Sequence, residues 1–159
     1  MDKIVSSKRI PEEVINHYII KPEVKSKIDL TSIFSNENNV KIDIGCGNGH
    51  FLVDMAKQFP DANFIGIELK YYRVCKCISK FSKRDIENVR MYHGDAGSFL
   101  ENHFHTNSID ELYYNFPDPW PKRRHHKKRL FTPKFLDTLA RIMKKDAIFT
   151  CATDHKDYL

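Results

Sequence analysis

The chain is predicted to form an α/β domain: a parallel sheet with helices on both faces and a helical segment ahead of it. Three observations carry that prediction. Short runs rich in β-branched and apolar residues recur as VKIDI at 40–44, ANFIGIE at 62–68, VRMYHG at 89–94, IDELYYNF at 109–116 and AIFTCAT at 147–153. Helical patterns separate them, and strands alternating with helices imply right-handed crossovers that cover both faces of a parallel sheet. The chain has 159 residues, 41% hydrophobic and 30% charged, which suits one domain with its own core.

The elements follow in order. Residues 11–28 read as helical from Pro11, with Glu12 and Glu13 in the first turn, where acids suit the helix dipole. Pro22 is expected to break or kink that segment. SNENN at 35–39 is a turn cluster. Residues 1–39 thus form an N-terminal helical extension within a single domain spanning 1–159. Further helices are expected at 50–58, 70–83, 97–102 and 133–144, the last opened by Thr132-Pro133.

Composition excludes several classes. No apolar stretch approaches the roughly 20 residues of a membrane span. The opening MDKIVSSKRIPEEV lacks the apolar core of a signal peptide, which leaves the cytoplasm as the expected location. Cys46, Cys75, Cys77 and Cys151 are too few and scattered for a disulfide scaffold, and no second cysteine cluster completes a zinc ligand set. His103, His105, His125 and His126 read as surface histidines, so no metal is expected.

Net charge is +5, and residues 122–129 alone supply six formal positives with no acid. Without them the chain would be slightly acidic, so the basic excess reads as one local device for a polyanionic partner.

In parallel α/β sheets, ligands bind beyond the carboxyl ends of the strands, where strand order reverses. The first strand ends in DIGCGNG, residues 43–49, where Gly45 and Gly47 let the backbone turn and approach a ligand. A dinucleotide fingerprint would place a glycine at position 50, which is His50. Asp43 argues against a diphosphate and suits a cationic or amine-bearing ligand. Glu68 ends the second strand and can accept both hydroxyls of a ribose. Asp95 closes the third, where it can accept from an adenine amino group or cap the next helix. Three acids at consecutive strand ends describe a pocket for an adenosine with a positively charged amino-acid tail, S-adenosyl-L-methionine.

DIGCGNG, GIELK, GDA, FPDPWPK and ATD, in this order, resemble the bacterial tRNA (guanine-N7-)-methyltransferases, a Rossmann-like class I methyltransferase family. The resemblance runs from about residue 40 to 155, and FPDPW before a basic loop is its most specific part. It implies methyl transfer to N7 of guanosine in the tRNA variable loop, with tRNA as partner and no obligate protein partner. It places Asp43, Glu68, Asp95 and Asp118 on the cofactor, with Lys70, Ala96 and Asn115 as secondary contacts. Lys122 and Asp154 match its substrate residues. Arg124, His125, His126, Lys127, Lys128 and Arg129 match its RNA-contacting loop. The resemblance also implies a last helix, two strands and a T-[KR]-F-E segment that nothing here matches, so the chain is expected to be C-terminally incomplete.

Asp118 lies between Pro117 and Pro119, which restrict φ and remove backbone donors. Guanine N7 already carries an in-plane lone pair, so no base need remove a proton before attack. The expected role of Asp118 is orientation and neutralisation of charge that develops on the ring. Trp120 suits packing and base stacking about equally. Two other readings stand beside the enzyme: a catalytically inactive tRNA-binding fragment, and a small-molecule methyltransferase for which the basic run would lack a purpose.

Overall fold

A computed structural model describes residues 10–156 and 158. The first nine residues, most of the stretch read as lacking a signal-peptide core, lie outside the described residues. Five strands, β1 Val40–Ile44, β2 Asn63–Glu68, β3 Val89–His93, β4 Ile109–Asn115 and β5 Met143–Ala152, form one sheet in the order β3-β2-β1-β4-β5. Every pair is parallel. Chain order reverses between β1 and β4, so the ligand crevice expected of such sheets opens beyond the carboxyl ends of these two strands.

Among the described residues six helices surround the sheet: α1 Glu12–Tyr18, α2 Leu30–Phe34, α3 His50–Gln58, α4 Tyr71–Lys83, α5 Ala96–His103 and α6 Pro133–Ile142. Alternate strand residues feed two apolar layers. Phe64, Val89 and Met91 pack with Leu52 of α3 and with Val74, Ile78 and Phe81 of α4. Ile42, Ile65, Ile67 and Leu112 pack with Phe99 of α5 and with Phe135 and Leu139 of α6. Burial of all six β2 residues reflects cover on both faces. Among the described residues no helix is long and apolar enough to cross a membrane.

Three expectations need correction. The helix expected over 11–28 stops at Tyr18. Ile19 bridges Met91, and the Ile20 N–H donates to the Met91 carbonyl at 2.8 Å. These β-branched residues gain more from covering the open edge of β3 than from continued helix. The chain makes a further short helix, α2, which no apolar periodicity announced. It is held by local capping: Asp29 accepts from the Ser32 N–H at 3.1 Å, and Ser35 ends it in left-handed backbone. Finally, α6 ends at Ile142 and β5 begins at Met143, four residues earlier than predicted. Met143 pairs with Ile109 across a register shift, and Lys144 bonds Asp110 at 2.7 Å. Among the described residues β5 pairs only with β4, and Ile148 on it is 59% exposed.

Candidate functional site

Across the carboxyl edge of the sheet, in spatial order, stand Asp95 after β3, Glu68 on β2, Asp43 on β1, Asp118 after β4 and Asp154 after β5. Each comes from a different strand, and only the parallel arrangement brings them to one edge.

Asp43 sits at the centre, in register with Gly66 and Tyr113. It is 4% exposed, and no hydrogen bond reaches its carboxyl from the described residues. Burial pushes its pKa up to about 7. Its oxygens are not sealed from the crevice, so a partner can reach them from that side, and a cation is the partner that suits a largely buried acid.

Glu68 is about equally buried but has a partner on each oxygen. One oxygen accepts the Gly47 N–H at 3.0 Å, the other accepts the Lys70 N–H at 2.8 Å, and the Arg73 guanidinium lies 3.7 Å away. Its carboxylate thereby ties the glycine loop to the start of α4. That loop also wraps the end of β2: the Gly45 and Cys46 N–H groups both donate to the Ile67 carbonyl, at 2.9 and 3.2 Å. Lys80 of α4 donates to the Asn48 carbonyl.

Two glycines make this close fit possible. Gly49 caps α3 with φ +74°, and a Cβ there would fall 2.6 Å from the Cys77 sulfur. Gly66 lies in β2, where a Cβ would meet Leu52 at 2.4 Å, Met91 at 2.7 Å and Cys46 at 3.1 Å. Gly49 closes the DIGCGNG run already read from the sequence, whereas Gly66, Arg73 and Lys80 are site-building residues that sequence reasoning did not single out. The glycine inside an apolar strand was the one readable signal, since it marks close approach.

Asp95 is the N-cap of α5. One oxygen accepts the Ser98 N–H at 2.7 Å and Ala96 opens the helix, so capping and ligand contact both draw on this carboxylate. A surface cleft of about 320 Å³ runs from Asp95 between α5 and α6. It leads away from Asp43 and Glu68, and does not coincide with the row of acids.

Beyond Asn115 the chain turns sharply. Phe116 and Trp120 both take left-handed backbone, φ 50° and 40°, on either side of Pro117-Asp118-Pro119. Such conformations cost about 1–3 kcal/mol each for non-glycine residues and persist where the surroundings hold them. The Phe116 N–H donates to the Ala152 carbonyl at 2.7 Å, and Pro117 is buried, while Asp118 itself is exposed. The Arg73 guanidinium is pushed toward higher pKa by its bond to Tyr72 and by the charges of Glu68 and Asp118. Asp118 thus lies near enough to the start of α4 for its charge to act on Arg73.

The basic segment is not a loose loop. Arg123–Lys128 form a 3-10 turn after Lys122, whose carbonyl accepts the His125 N–H at 2.7 Å. Lys122, Arg124, His126 and Lys127 are exposed. Lys128 lies 4.4 Å from the Trp120 ring centre, and His125 packs edge-on to the same ring at 5.8 Å. Arg129 is half-buried. Its Nε donates to the Pro119 carbonyl at 3.0 Å, and its guanidinium covers Tyr158 at 5.2 Å. Tyr158 in turn shares a buried 2.8 Å hydrogen bond with Tyr114 of β4. Asp154 is exposed beyond β5. Among the described residues no group of three His, Cys, Asp or Glu side chains could hold a metal.

A sequence family described as "Putative methyltransferase" matches residues 37–159. The chain is 36% identical over 158 residues to the tRNA (guanine-N(7)-)-methyltransferase of Streptococcus thermophilus, covering 98% of this chain and 74% of that protein. Proteins of the same name match from Shewanella woodyi (40% over 131 residues, 82% of this chain, 55% of that protein) and Thermotoga maritima (35% over 147 residues, 91% and 47%). Among solved structures, a geranyl diphosphate C-methyltransferase from Streptomyces coelicolor superposes with TM-score 0.56 at 15% identity, over 73% of this chain and 37% of that one. A SAM-dependent methyltransferase from Aquifex aeolicus gives TM-score 0.54 at 21% identity, over 73% and 57%. At these identities the structures share the fold alone.

Proposed function

The chain belongs to the tRNA (guanine-N(7)-)-methyltransferase family, and from that premise we propose that it moves a methyl group from S-adenosyl-L-methionine to N7 of a guanosine in tRNA. The observation that carries this reading is Asp43, a buried carboxyl with no partner among the described residues, at the point where strand order reverses.

The residues present fit that cofactor. Asp43 suits its ammonium group. Glu68 spends one lone pair of each oxygen on a backbone N–H, which leaves acceptor capacity on both for ribose hydroxyls. Asp95 uses one oxygen on Ser98, and the other suits the adenine amino group. Gly45, Gly47, Lys70, Ala96 and Asn115 line the same strand ends. When bound, S-adenosyl-L-methionine supplies a methyl group on a positively charged sulfur.

The chain's own side chains do the rest. Guanine N7 attacks with its lone pair, so no side chain need act as base. Positive charge then develops on the guanine ring, and Asp118 neutralises it while accepting from the ring N–H groups. Lys122, Arg124, His126 and Lys127 contact backbone phosphates, with Asp154 on the guanine edge. His125 and Lys128 hold Trp120 in place for stacking on a base. The guanosine lies in the variable loop, and the reaction takes place in the cytoplasm.

Incubation of the chain with methyl-labelled cofactor and bulk tRNA, followed by nucleoside analysis, tests the proposal. Label is expected in N7-methylguanosine. Cofactor and tRNA binding without any methylation would instead make the chain an inactive RNA binder. Label in small molecules but not tRNA would make it a small-molecule enzyme.

A further inference from the structure

Residues 122–129 are not the sole concentration of positive charge. Helix α4, Tyr71–Lys83, carries Arg73, Lys76, Lys80 and Lys83 and no acidic residue. Its buried side is Val74, Cys77, Ile78 and Phe81. At 3.6 residues per turn, Tyr72, Lys76 and Lys83 fall on the opposite side of the helix, in one line. All three are exposed, Tyr72 to 54%. Arg73 and Lys76 lie 5.8 and 5.5 Å from the Tyr72 ring centre. Lys80 is committed to the Asn48 carbonyl and Arg73 to Glu68, which leaves Tyr72, Lys76 and Lys83 as the outward set.

The fold gives this face its meaning. Helix α4 starts at the end of β2 and the basic 3-10 turn follows β4, and these strands flank β1 and Asp43 in the sheet. One positively charged element therefore begins on each side of the crevice, and α4 runs from there back along the sheet, since it joins the parallel strands β2 and β3. An exposed tyrosine with cations beside its ring, followed by lysines along about 16 Å of helix, matches what a polynucleotide offers: a base face and a run of phosphates.

We propose that the outer face of α4 is a second RNA contact, on which Tyr72 stacks against a base and Lys76 and Lys83 meet phosphates, so that the tRNA straddles the crevice. The proposal rests on the tRNA reading above and adds a site to it. Among the described residues Cys77 and Lys80 hold the glycine loop while Lys76 and Lys83 do not, so the RNA contact can be changed alone.

The test compares the wild-type chain with K76E/K83E, Y72A and Y72F in tRNA binding at several salt concentrations, cofactor calorimetry and single-turnover methylation. The double variant is expected to bind tRNA at least about tenfold more weakly, with the salt slope reduced by about one for each lysine. Its cofactor affinity and melting temperature should match wild type, and its methylation rate at saturating tRNA should be retained. Y72A should weaken tRNA binding several-fold and Y72F should not, since the ring and not the hydroxyl stacks. Wild-type tRNA affinity in K76E/K83E, alongside weakened binding in a K127E control, overturns the α4 contact and leaves the tRNA reading standing. Failure of the wild-type chain to bind tRNA at all overturns both.

Discussion

Asp43 and Tyr113 face each other in register across the β1–β4 pair, which sets a carboxyl without a hydrogen-bond partner among the described residues at the reversal of strand order. Burial raises its pKa from an ordinary 3.8 to about 7. Between those values the folded state holds a proton that the unfolded chain has lost, so stability falls as pH rises through this window. The slope approaches about 1.4 kcal/mol per pH unit. Asp43→Asn should flatten that fall in thermal denaturation, and stabilise the ligand-free protein at pH 7 and above.

The same carboxyl predicts how cofactor affinity depends on pH. An ammonium partner favours the ionised acid, so binding expels the proton below about pH 7. Affinity for S-adenosyl-L-methionine should rise up to tenfold per unit as pH approaches 7, then level off. Calorimetry in buffers of different ionisation enthalpy would show the released proton. The Asp43→Asn variant should lose both the pH dependence and most of the affinity; unchanged binding would show that Asp43 does not meet the cofactor.

Glu68 offers a contrast between shape and charge. Glu68→Ala leaves the Gly47 and Lys70 N–H groups without their acceptor, at about 1–3 kcal/mol each if no water replaces it. Glu68→Gln keeps one good acceptor. Denaturant unfolding should therefore rank wild type above Gln above Ala, and cofactor binding should fall in both variants. Equal stability of all three would mean that the loop does not depend on this carboxylate.

For Asp118 the expected loss lies in the chemical step. Asp118→Asn keeps the shape and removes the charge, and should lower single-turnover methylation by about 100-fold, equivalent to roughly 3 kcal/mol. Cofactor affinity should change far less than on loss of Asp43. A rate that follows an ionisation near neutral pH in wild type but not in the Asp118→Asn variant would contradict this neutralising role and indicate a base.

Arg129 separates loop geometry from RNA affinity. Half-buried, it bonds the Pro119 carbonyl and covers Tyr158. Arg129→Ala should slow methylation at saturating tRNA, and Arg129→Lys should restore little, since an ammonium lacks the planar fork. Lys127→Ala should do the reverse, weakening tRNA binding in a salt-dependent way with the saturated rate intact. Identical behaviour of the two variants would make Arg129 an RNA contact like Lys127.

Much of this was legible in the chain. Strand positions, the acids at their ends and the clamped Asp118 follow from periodicity and from residue chemistry at short range. The early end of α1 was not, because Ile19 and Ile20 satisfy a helical pattern as well as an extended one, and Met91 of a distant strand decides between them. Nor were the contacts of Arg129 with Pro119 and Tyr158, which a run of like charges conceals. The α4 face was hidden in the net charge, since acids elsewhere cancel its lysines.

The sequence by itself determined the parallel α/β class, the glycine loop after Asp43 and which side-chain types stand at each strand end, because these depend on local propensity and on residue identity. Only the tertiary structure decided which acids are buried, which are spent on backbone donors and which look outward. Burial and partnership arise from contacts between segments far apart in the chain. They set Asp43 apart from Glu68, though both are acids on adjacent strands.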